Sequence, residues 1–178
     1  MTALDADVFG LMEIENNGTA VDDLVAALNT KAGDGTYAAV KTGKVGSDAI
    51  FQAFVYKPAT VEPAGSFKTL GFGHTGNRPS LLQTFRHKDS GELVNVSVNH
   101  LKSKGSACKG DPDTGDGQGN CNQTRNKAAE NLVSWLRGDP TGQGAARTLI
   151  IGDLNSYDHE DPVKTLVEGG YADMEKKF

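Results

Sequence analysis

Short stretches of alternating hydrophobic and polar residues follow one another along most of the chain, with stretches of helical spacing between them. Alternation over roughly four to eight residues predicts strands, whereas apolar residues three or four positions apart predict amphipathic helices. The predicted strands are residues 11–16, 37–40, 49–56, 80–86, 92–99 and 148–151. The predicted helices are residues 19–33, 124–136 and 162–168.

Turn and cap residues support these boundaries and indicate a fold class. Thr19 is the predicted cap of the first helix, Gly33 is its predicted stop, and the turn at residues 88–91 predicts a hairpin. The wholly apolar run 148–151 is typical of a strand that is buried on both faces. Several strands lie between the helices, so the order favours a two-sheet α/β sandwich with a mixed sheet over a doubly wound parallel sheet.

Length, composition and charge bound the possible functions. The chain has 178 residues, 37% hydrophobic and 23% charged, which predicts one domain over residues 1–178. No apolar run approaches the roughly 20 residues that cross a bilayer, and the first residues lack the features of a signal peptide. The net charge of −5 argues against binding of nucleic acid by bulk electrostatics. A nuclease remains compatible, because a metal neutralises site carboxylates and basic residues can act locally.

Basic residues crowd the region that follows His100 along the chain. They are Lys102, Lys104, Lys109, Arg125 and Lys127. Two interpretations remain open for them: local contacts with a phosphate, or ordinary charges on a solvated loop surface.

Three apolar stretches end in polar side chains suited to phosphoester chemistry: Glu13, His100, and the pair Asp153 and Asn155. If the three stretches are neighbouring strands of one sheet, their carboxyl ends bring these groups to a single rim, where open α/β sheets usually bind ligands. A carboxylate pair, an amide and an imidazole at one rim predict a metal-assisted hydrolase.

Each of these groups has a chemical role and a structural alternative. A carboxylate at a strand end is costly to bury without a cation, so Glu13 is a predicted Mg²⁺, Mn²⁺ or Ca²⁺ ligand, with Glu15 competing for that role. Asp153 is a second predicted ligand that can also polarise a water, and Asn155 can hold a phosphate by hydrogen bonds. The two alternate across Leu154 and are therefore expected to face the same side. For Glu13 and Glu15 the alternative is a helix cap or an ion pair with a lysine. For Asp153 and Asn155 it is an ordinary turn.

Further candidates lie next to two predicted strands: Asn77 and Arg78 precede strand 80–86, and His100 follows strand 92–99. A protonated His100 can donate to a phosphate oxygen, and Asn77 and Arg78, which open strand 80–86, are predicted phosphate contacts. A surface ion pair is the alternative for Arg78. For Asp48 the preferred interpretation is a plain turn residue, and the second is a hydrogen-bond acceptor that anchors loops near the site. The other histidines are interpreted as structural: His74, His87 and His159.

Cys108 and Cys121 are the only cysteines and enclose a polar, glycine-rich loop that has no core of its own. Such a loop favours a disulfide over two unrelated thiols, and a disulfide favours an oxidising compartment. Within the loop, residues 111–117 partly resemble a calcium loop. They lack its spacing and contain Pro112, so a disulfide-closed loop is the preferred interpretation.

Five ordered motifs together resemble the endonuclease/exonuclease/phosphatase superfamily, and most closely its secreted bacterial extracellular deoxyribonucleases. They are residues 11–16, 46–50, 77–81, 98–104 and 152–157. The spacing of the cysteines and the run 160–162 strengthen the narrower match. The resemblance implies a deoxyribonuclease-I-like sandwich, secreted or periplasmic, that hydrolyses DNA with a divalent metal. It implies Glu13 as metal ligand, Arg78 and His100 at the scissile phosphate, and Asp153 with Asn155 orienting water and phosphate.

The chain departs from the superfamily pattern at both ends. Members carry an upstream strand with a site Asn and downstream Asp-His motifs, neither of which is found here, so the usual histidine base has no counterpart. We therefore expect a partial domain with weak or no activity by itself, and exposed sheet edges that can pair with a second copy. Two alternatives remain: another phosphoesterase, such as a sphingomyelinase-like or sugar-phosphate enzyme, and a non-catalytic binding module.

Overall fold

The computed structural model describes residues 1–73 and 76–177, arranged as strands and helices in the following order. The strands are β1 (Val8–Glu15), β2 (Ala38–Ala39), β3 (Ile50–Tyr56), β4 (Val61–Leu70), β5 (Ser80–His87), β6 (Leu93–His100) and β7 (Arg147–Asp153). The helices are α1 (Ala20–Ala32), α2 (Asn122–Arg137), α3 (Asp161–Glu168) and α4 (Met174–Lys177). Among the described residues, no helix is both long and apolar enough to span a membrane.

The strands form two sheets. The first has three antiparallel strands in the order β1-β3-β2, and the second has four in the order β4-β5-β6-β7. All neighbours in the second sheet are antiparallel except β6 and β7, which are parallel, so the predicted mixed sheet is confirmed. The expectation that all three site strands share one sheet is wrong, because β1 belongs to the first sheet while β6 and β7 belong to the second.

The two sheets pack face to face, with helices on both outer faces. Phe54 of β3 and Phe85 of β5 are fully buried between the sheets with ring centroids 5.5 Å apart. A Cβ at Gly10 of β1 would lie only 2.5 Å from side-chain carbons of both Val98 and Ile151. Only glycine therefore allows β1 to approach β6 and β7 this closely.

The helices cover the outer faces of the sandwich. α1 packs on the three-stranded sheet through Val21, Val25 and Leu28. α2 and α3 pack on the four-stranded sheet in a cluster of buried side chains: Leu82, Ala129, Leu132, Val133, Leu136 and Leu166. The layer order of helix, sheet, sheet and helices confirms the predicted α/β sandwich.

Four local expectations need correction. Thr19 makes no side-chain cap; the Asn17 carboxamide oxygen instead accepts hydrogen bonds from the backbone N–H groups of residues 19 and 20. β4 was not predicted, because Pro63 and Gly65 interrupt its pattern, yet an edge strand tolerates both. The run 148–151 is not buried on both faces, since β7 is an edge strand and Leu149 is half exposed. The predicted strand 37–40 shortens to two residues.

Candidate active site

Glu13 reaches the site through a β-bulge in the first sheet. Leu11 pairs with Ala53 and Ile14 with Phe51, so Met12 and Glu13 together lie opposite one residue of β3. Glu13 has φ of 58°, a left-handed conformation that residues with side chains rarely adopt. The backbone is therefore strained at the residue that carries the candidate metal ligand.

His100 and Asp153 lie side by side at the ends of two parallel strands of the second sheet. They are register partners, and the backbone N–H of Leu101 donates to the carbonyl oxygen of Asp153 at 3.0 Å. Gly152 has φ of 118°, and a Cβ there would lie 2.1 Å from the carbonyl oxygen of Asn99. Glycine at this position is thus a requirement of the close approach between β6 and β7.

The side chains from the two sheets meet at the imidazole of His100. Its Nε2 lies 3.9 Å from Oε1 of Glu13 and 3.8 Å from Oδ2 of Asp153. These separations are too long for direct hydrogen bonds and leave space between the groups. The predicted convergence of Glu13, His100 and Asp153 is therefore observed, although across two sheets rather than within one.

The environment of His100 lowers the pKa of its imidazole below the ordinary value. The largest cause is burial, since the residue is 5% exposed, and the charge of Arg78 acts in the same direction. The carboxylates of Asp153, Glu13 and Asp48 oppose both effects, in that order. Nδ1 of His100 is buried and has no hydrogen-bond partner among the described residues.

Arg78 is held beside His100 by an ion pair with Asp48. Its Nε lies 2.9 Å from Oδ2 of Asp48, and its side chain is only 19% exposed. The side-chain amide of Asn16 fixes the loop that carries Asp48, donating to the carbonyl oxygens of Val45 and Asp48 at 3.0 and 2.9 Å. The structure thus favours the anchoring role for Asp48 over a plain turn.

Asn155 and Asp153 are joined in a turn beyond the end of β7. The backbone N–H of Asn155 donates to Oδ1 of Asp153 at 2.7 Å, and its side-chain amide donates to the carbonyl oxygen of Leu101 at 3.0 Å. Asn155 has φ of 48°, so strand alternation does not explain why the two residues lie together. The hydrogen-bonded turn does.

Asn77 connects three segments near the site. Its side-chain amide donates to the carbonyl oxygen of Thr124 at 3.2 Å and accepts from the backbone N–H of Lys102 at 2.8 Å. These contacts tie the start of β5 to α2 and to the loop after β6. Binding of phosphate by Asn77 stays a prediction.

The carboxylates at this rim fit an open site for a hard divalent cation. The side chains of Glu13 and Asp153 are at least half exposed, and both supply the oxygen donors that Mg²⁺ and Mn²⁺ prefer. Within residues 1–73 and 76–177, no set of three or more His, Cys, Asp or Glu side chains is arranged to hold a metal ion. Two carboxylates alone leave the remaining ligand positions of a divalent cation to water and to substrate oxygens.

The loop after β6 is closed by the disulfide Cys108–Cys121, as predicted, with Cα atoms 5.4 Å apart. Asp111 caps α2 by accepting from the backbone N–H of Thr124 at 2.7 Å and of Gln123 at 3.3 Å. Burial raises the pKa of Asp111, but these hydrogen bonds and the charge of Arg125 outweigh it and lower that pKa overall.

Other acidic residues of this loop serve its own backbone. Asp113 accepts from the N–H of Gly115 at 2.8 Å, and Asp116 accepts from that of Gln118 at 2.9 Å. Both carboxylates therefore stabilise turns within the loop.

Arg125 is a residue whose role the sequence analysis missed. It is fully buried, and its guanidinium donates to carbonyl oxygens of Lys102, Asn120 and Gln118 and to the hydroxyl of Ser156. It therefore joins the disulfide loop to the loop that follows Asn155. A signal was present, because Arg125 lies three to seven positions before Ala128, Ala129 and Leu132, on the buried face of α2.

The remaining histidines lie apart from this cluster where they are described. His87 contacts the hydroxyl of Ser90 at 3.1 Å, and His159 contacts the carboxylate of Asp158 at 2.6 Å. The prediction for His74 lies outside the described residues.

Comparison with known proteins identifies the fold. No protein-family model matches the chain, and no curated protein matches it significantly in sequence. Three similar structures are the human Nocturnin catalytic domain with bound sulfate (TM-score 0.63, 16% identity), TDP2 from D. rerio with a single-strand DNA product (0.58, 15%), and the Bacteroides thetaiotaomicron mannosyl-6-phosphatase (0.62, 15%). The matches cover 92%, 95% and 95% of this chain and 56%, 54% and 58% of those structures.

These similarities establish the class of fold. The chain has the sandwich fold of the endonuclease/exonuclease/phosphatase proteins, and it spans little more than half the length of the three structures. At 15–16% identity the match defines the fold alone. The function has to be argued from the site.

Proposed function

We propose that this chain is part of a metal-dependent phosphodiesterase, and specifically of an extracellular nuclease acting on DNA. One observation carries the proposal: carboxylate oxygens of Glu13 and Asp153, from strands of two different sheets, both lie within 4 Å of Nε2 of His100. Strained backbone at Glu13 and a glycine required before Asp153 hold them there. Such features are typical of functional sites rather than of sites that serve packing alone.

Each side chain at the rim has a role in hydrolysis. Glu13, with Asp153, would hold a divalent cation, whose chemistry is to offset negative charge on the phosphoryl oxygens. Asp153 accepts a hydrogen bond from an attacking water and orients it, while Asn155 holds the phosphate or the water by its amide. Arg78, kept rigid by Asp48, stabilises the charge that develops on the phosphate.

The low pKa of His100 fits a phosphate contact. In the free site burial favours the neutral imidazole, in which one nitrogen carries a proton. An incoming phosphate adds negative charge beside the ring and favours the protonated form, which can donate to a phosphate oxygen.

DNA in an oxidising compartment is the proposed substrate and location. The five motifs resemble those of secreted deoxyribonucleases, the disulfide is suited to an oxidising environment, and TDP2, which shares the fold, has been crystallised with a DNA product. The mannosyl-6-phosphatase shares the fold equally well, which makes a sugar-phosphate substrate the second candidate.

Binding of Mn²⁺, measured by calorimetry, tests the metal site independently of turnover. We expect Glu13→Gln to weaken Mn²⁺ binding at least tenfold, because it removes a charged ligand. The control is Glu15→Gln, which makes the same chemical change two residues further along β1 and should leave the affinity unchanged. Equal effects of the two variants, or no binding of Mn²⁺ to the unmodified chain, would favour a non-catalytic module.

Turnover tests the reaction itself. The unmodified chain and Asp153→Ala are incubated at high concentration with plasmid DNA, sphingomyelin and mannose 6-phosphate in Mn²⁺ buffer. We expect cleavage of DNA alone, abolished by Asp153→Ala, because this change removes a candidate ligand of the cation and the acceptor that orients the water. Cleavage of one of the other substrates instead would move the assignment to that class of phosphoesterase.

A further inference from the structure

An exposed aromatic ring lies on the loop that leaves the candidate active site. Tyr157 follows Asn155 by two residues and is 71% exposed. Among the described residues, it is the one aromatic side chain in the group of strongly exposed large apolar residues. Four residues of chain reach at most about 14 Å, so the Cα atom of Tyr157 lies within that distance of the Cα atom of Asp153.

Lys104 contacts this ring and is itself held by an ion pair. Nζ of Lys104 lies 4.7 Å from the centroid of the Tyr157 ring, in the range of a cation–π contact. The same ammonium forms an ion pair with Glu160, whose side chain is only 2% exposed. Because Glu160 is buried at the start of α3, it anchors Lys104 against the ring, and the Tyr157 side chain stays mostly exposed to solvent.

The second oxygen of Glu160 is buried without a hydrogen-bond partner among the described residues. A carboxylate in this state depends on nearby cations, and both Lys104 and Arg125 supply them. Lys104 is therefore tied to its position more strongly than a lysine on a solvated loop. The arrangement is a preorganised ring with a cation beside it.

An open, rigid aromatic face with an ammonium beside it matches the chemistry of an unpaired nucleobase and its phosphate. Bases stack on aromatic side chains in proteins that bind single strands, and lysines accompany the backbone. Two acidic residues follow Tyr157 closely along the chain. Glu160 forms the ion pair with Lys104, and Asp158 is paired with His159 and Lys176.

We propose that Tyr157 and Lys104 form a stacking platform for an unpaired nucleobase of a polynucleotide whose neighbouring phosphate lies at Glu13, His100 and Asp153. This inference rests on the proposed function, because it names the form of the substrate as single-stranded or locally unpaired. A sugar phosphate or a lipid headgroup has no base to stack on the ring.

Equilibrium binding in EDTA tests the platform without hydrolysis. Fluorescence anisotropy is measured for a labelled single-stranded oligothymidylate and for an oligonucleotide of equal length made of abasic sites. We expect Tyr157→Ala to weaken binding of the oligothymidylate by about 5- to 150-fold and to leave the abasic strand unaffected. Tyr157→Phe, which keeps the ring, should bind within twofold of the unmodified chain.

Three results would overturn the platform: equal binding by Tyr157→Ala and the unmodified chain, equal losses for the two strands, or no binding of either. Thermal unfolding of the variants checks that they fold. Hydrolysis of the same oligothymidylate in Mn²⁺ is measured in parallel with Asp153→Ala. Absence of hydrolysis with an intact Tyr157 effect would refute the catalytic proposal alone, whereas hydrolysis without a Tyr157 effect would refute the platform alone.

Discussion

Replacing Glu13 by glycine should stabilise the protein and remove its metal site at the same time. Glu13 has φ of 58°, and a left-handed conformation costs a residue with a side chain about 1–2 kcal/mol. Glycine adopts this conformation without that cost, but it adds freedom to the unfolded chain worth about 0.4–1 kcal/mol. We therefore expect Glu13→Gly to raise the free energy of unfolding by up to about 1.6 kcal/mol.

Glu15→Gly is the matched control, because Glu15 is an exposed residue in regular pairing with Ile50 of β3. There the glycine relieves no strain and should destabilise by about 0.5–1 kcal/mol. The cost in the unfolded state is common to both variants and cancels. The difference between them, about 1–2 kcal/mol, is thus a direct measure of the strain at Glu13.

Urea unfolding gives the two free energies, and Glu13→Gln with Glu15→Gln corrects each for the lost charge. Thermal unfolding should show the same order, at about 2–4 °C per kcal/mol for a domain of this size. Calorimetry with Mn²⁺ should show that Glu13→Gly no longer binds the ion. Equal destabilisation by the two glycine variants would refute the argument that the bulge stores strain for the site.

Four further changes test other parts of the structure. Gly10→Ala should lower the free energy of unfolding, measured in urea, by about 1–3 kcal/mol, because its Cβ would lie 2.5 Å from side chains of both β6 and β7. Gly105→Ala, where the space is open, should change this free energy little. Arg125→Met should cost about 3 kcal/mol or more in the same assay, since buried carbonyl oxygens lose their donors. Reduction of the disulfide Cys108–Cys121 should cost about 3 kcal/mol and lower the melting temperature. The lowered pKa of Asp111 means that its charge stabilises the fold above about pH 4, and this contribution is lost as the pH falls through the folded pKa. In urea unfolding, Asp111→Asn should therefore have a lower free energy of unfolding than the unmodified chain at pH 7. The two free energies should converge at low pH.

Most elements of the fold are readable from local patterns, whereas their assembly is not. The periods of α2 and α3 and the turn before β6 identify these elements within a few residues. β4 escapes detection because an edge strand accepts Pro63 and Gly65 without losing its pairing. The apolar run of β7 suggests full burial, yet the strand has one neighbour only, which is a property of topology rather than of composition.

The candidate site shows the same division. His100 and Asp153 are identifiable because each ends a strand, whereas Glu13 lies at a bulge inside β1, where no strand end was present to mark it; the three side chains do meet. Their meeting depends on two sheets packing at a fixed distance, which strand patterns do not encode. Arg78 and Asp48 are separated by thirty positions of sequence, and their ion pair follows only from the loop that Asn16 holds.

The bulge at Glu13 is the point where packing of the fold and geometry of the site depend on each other. Along β1, Val8 and Met12 pack between the sheets, whereas Phe9 and Leu11 pack toward α1. Strict alternation would next place Glu13 on the α1 face, away from His100. Ile14 takes that face instead, so the extra residue of the bulge keeps the apolar pattern intact while freeing Glu13 from it. The break in alternation between Leu11 and Ile14 is visible in the sequence, and it is the signal by which this carboxylate, rather than Glu15, could have been assigned to the rim.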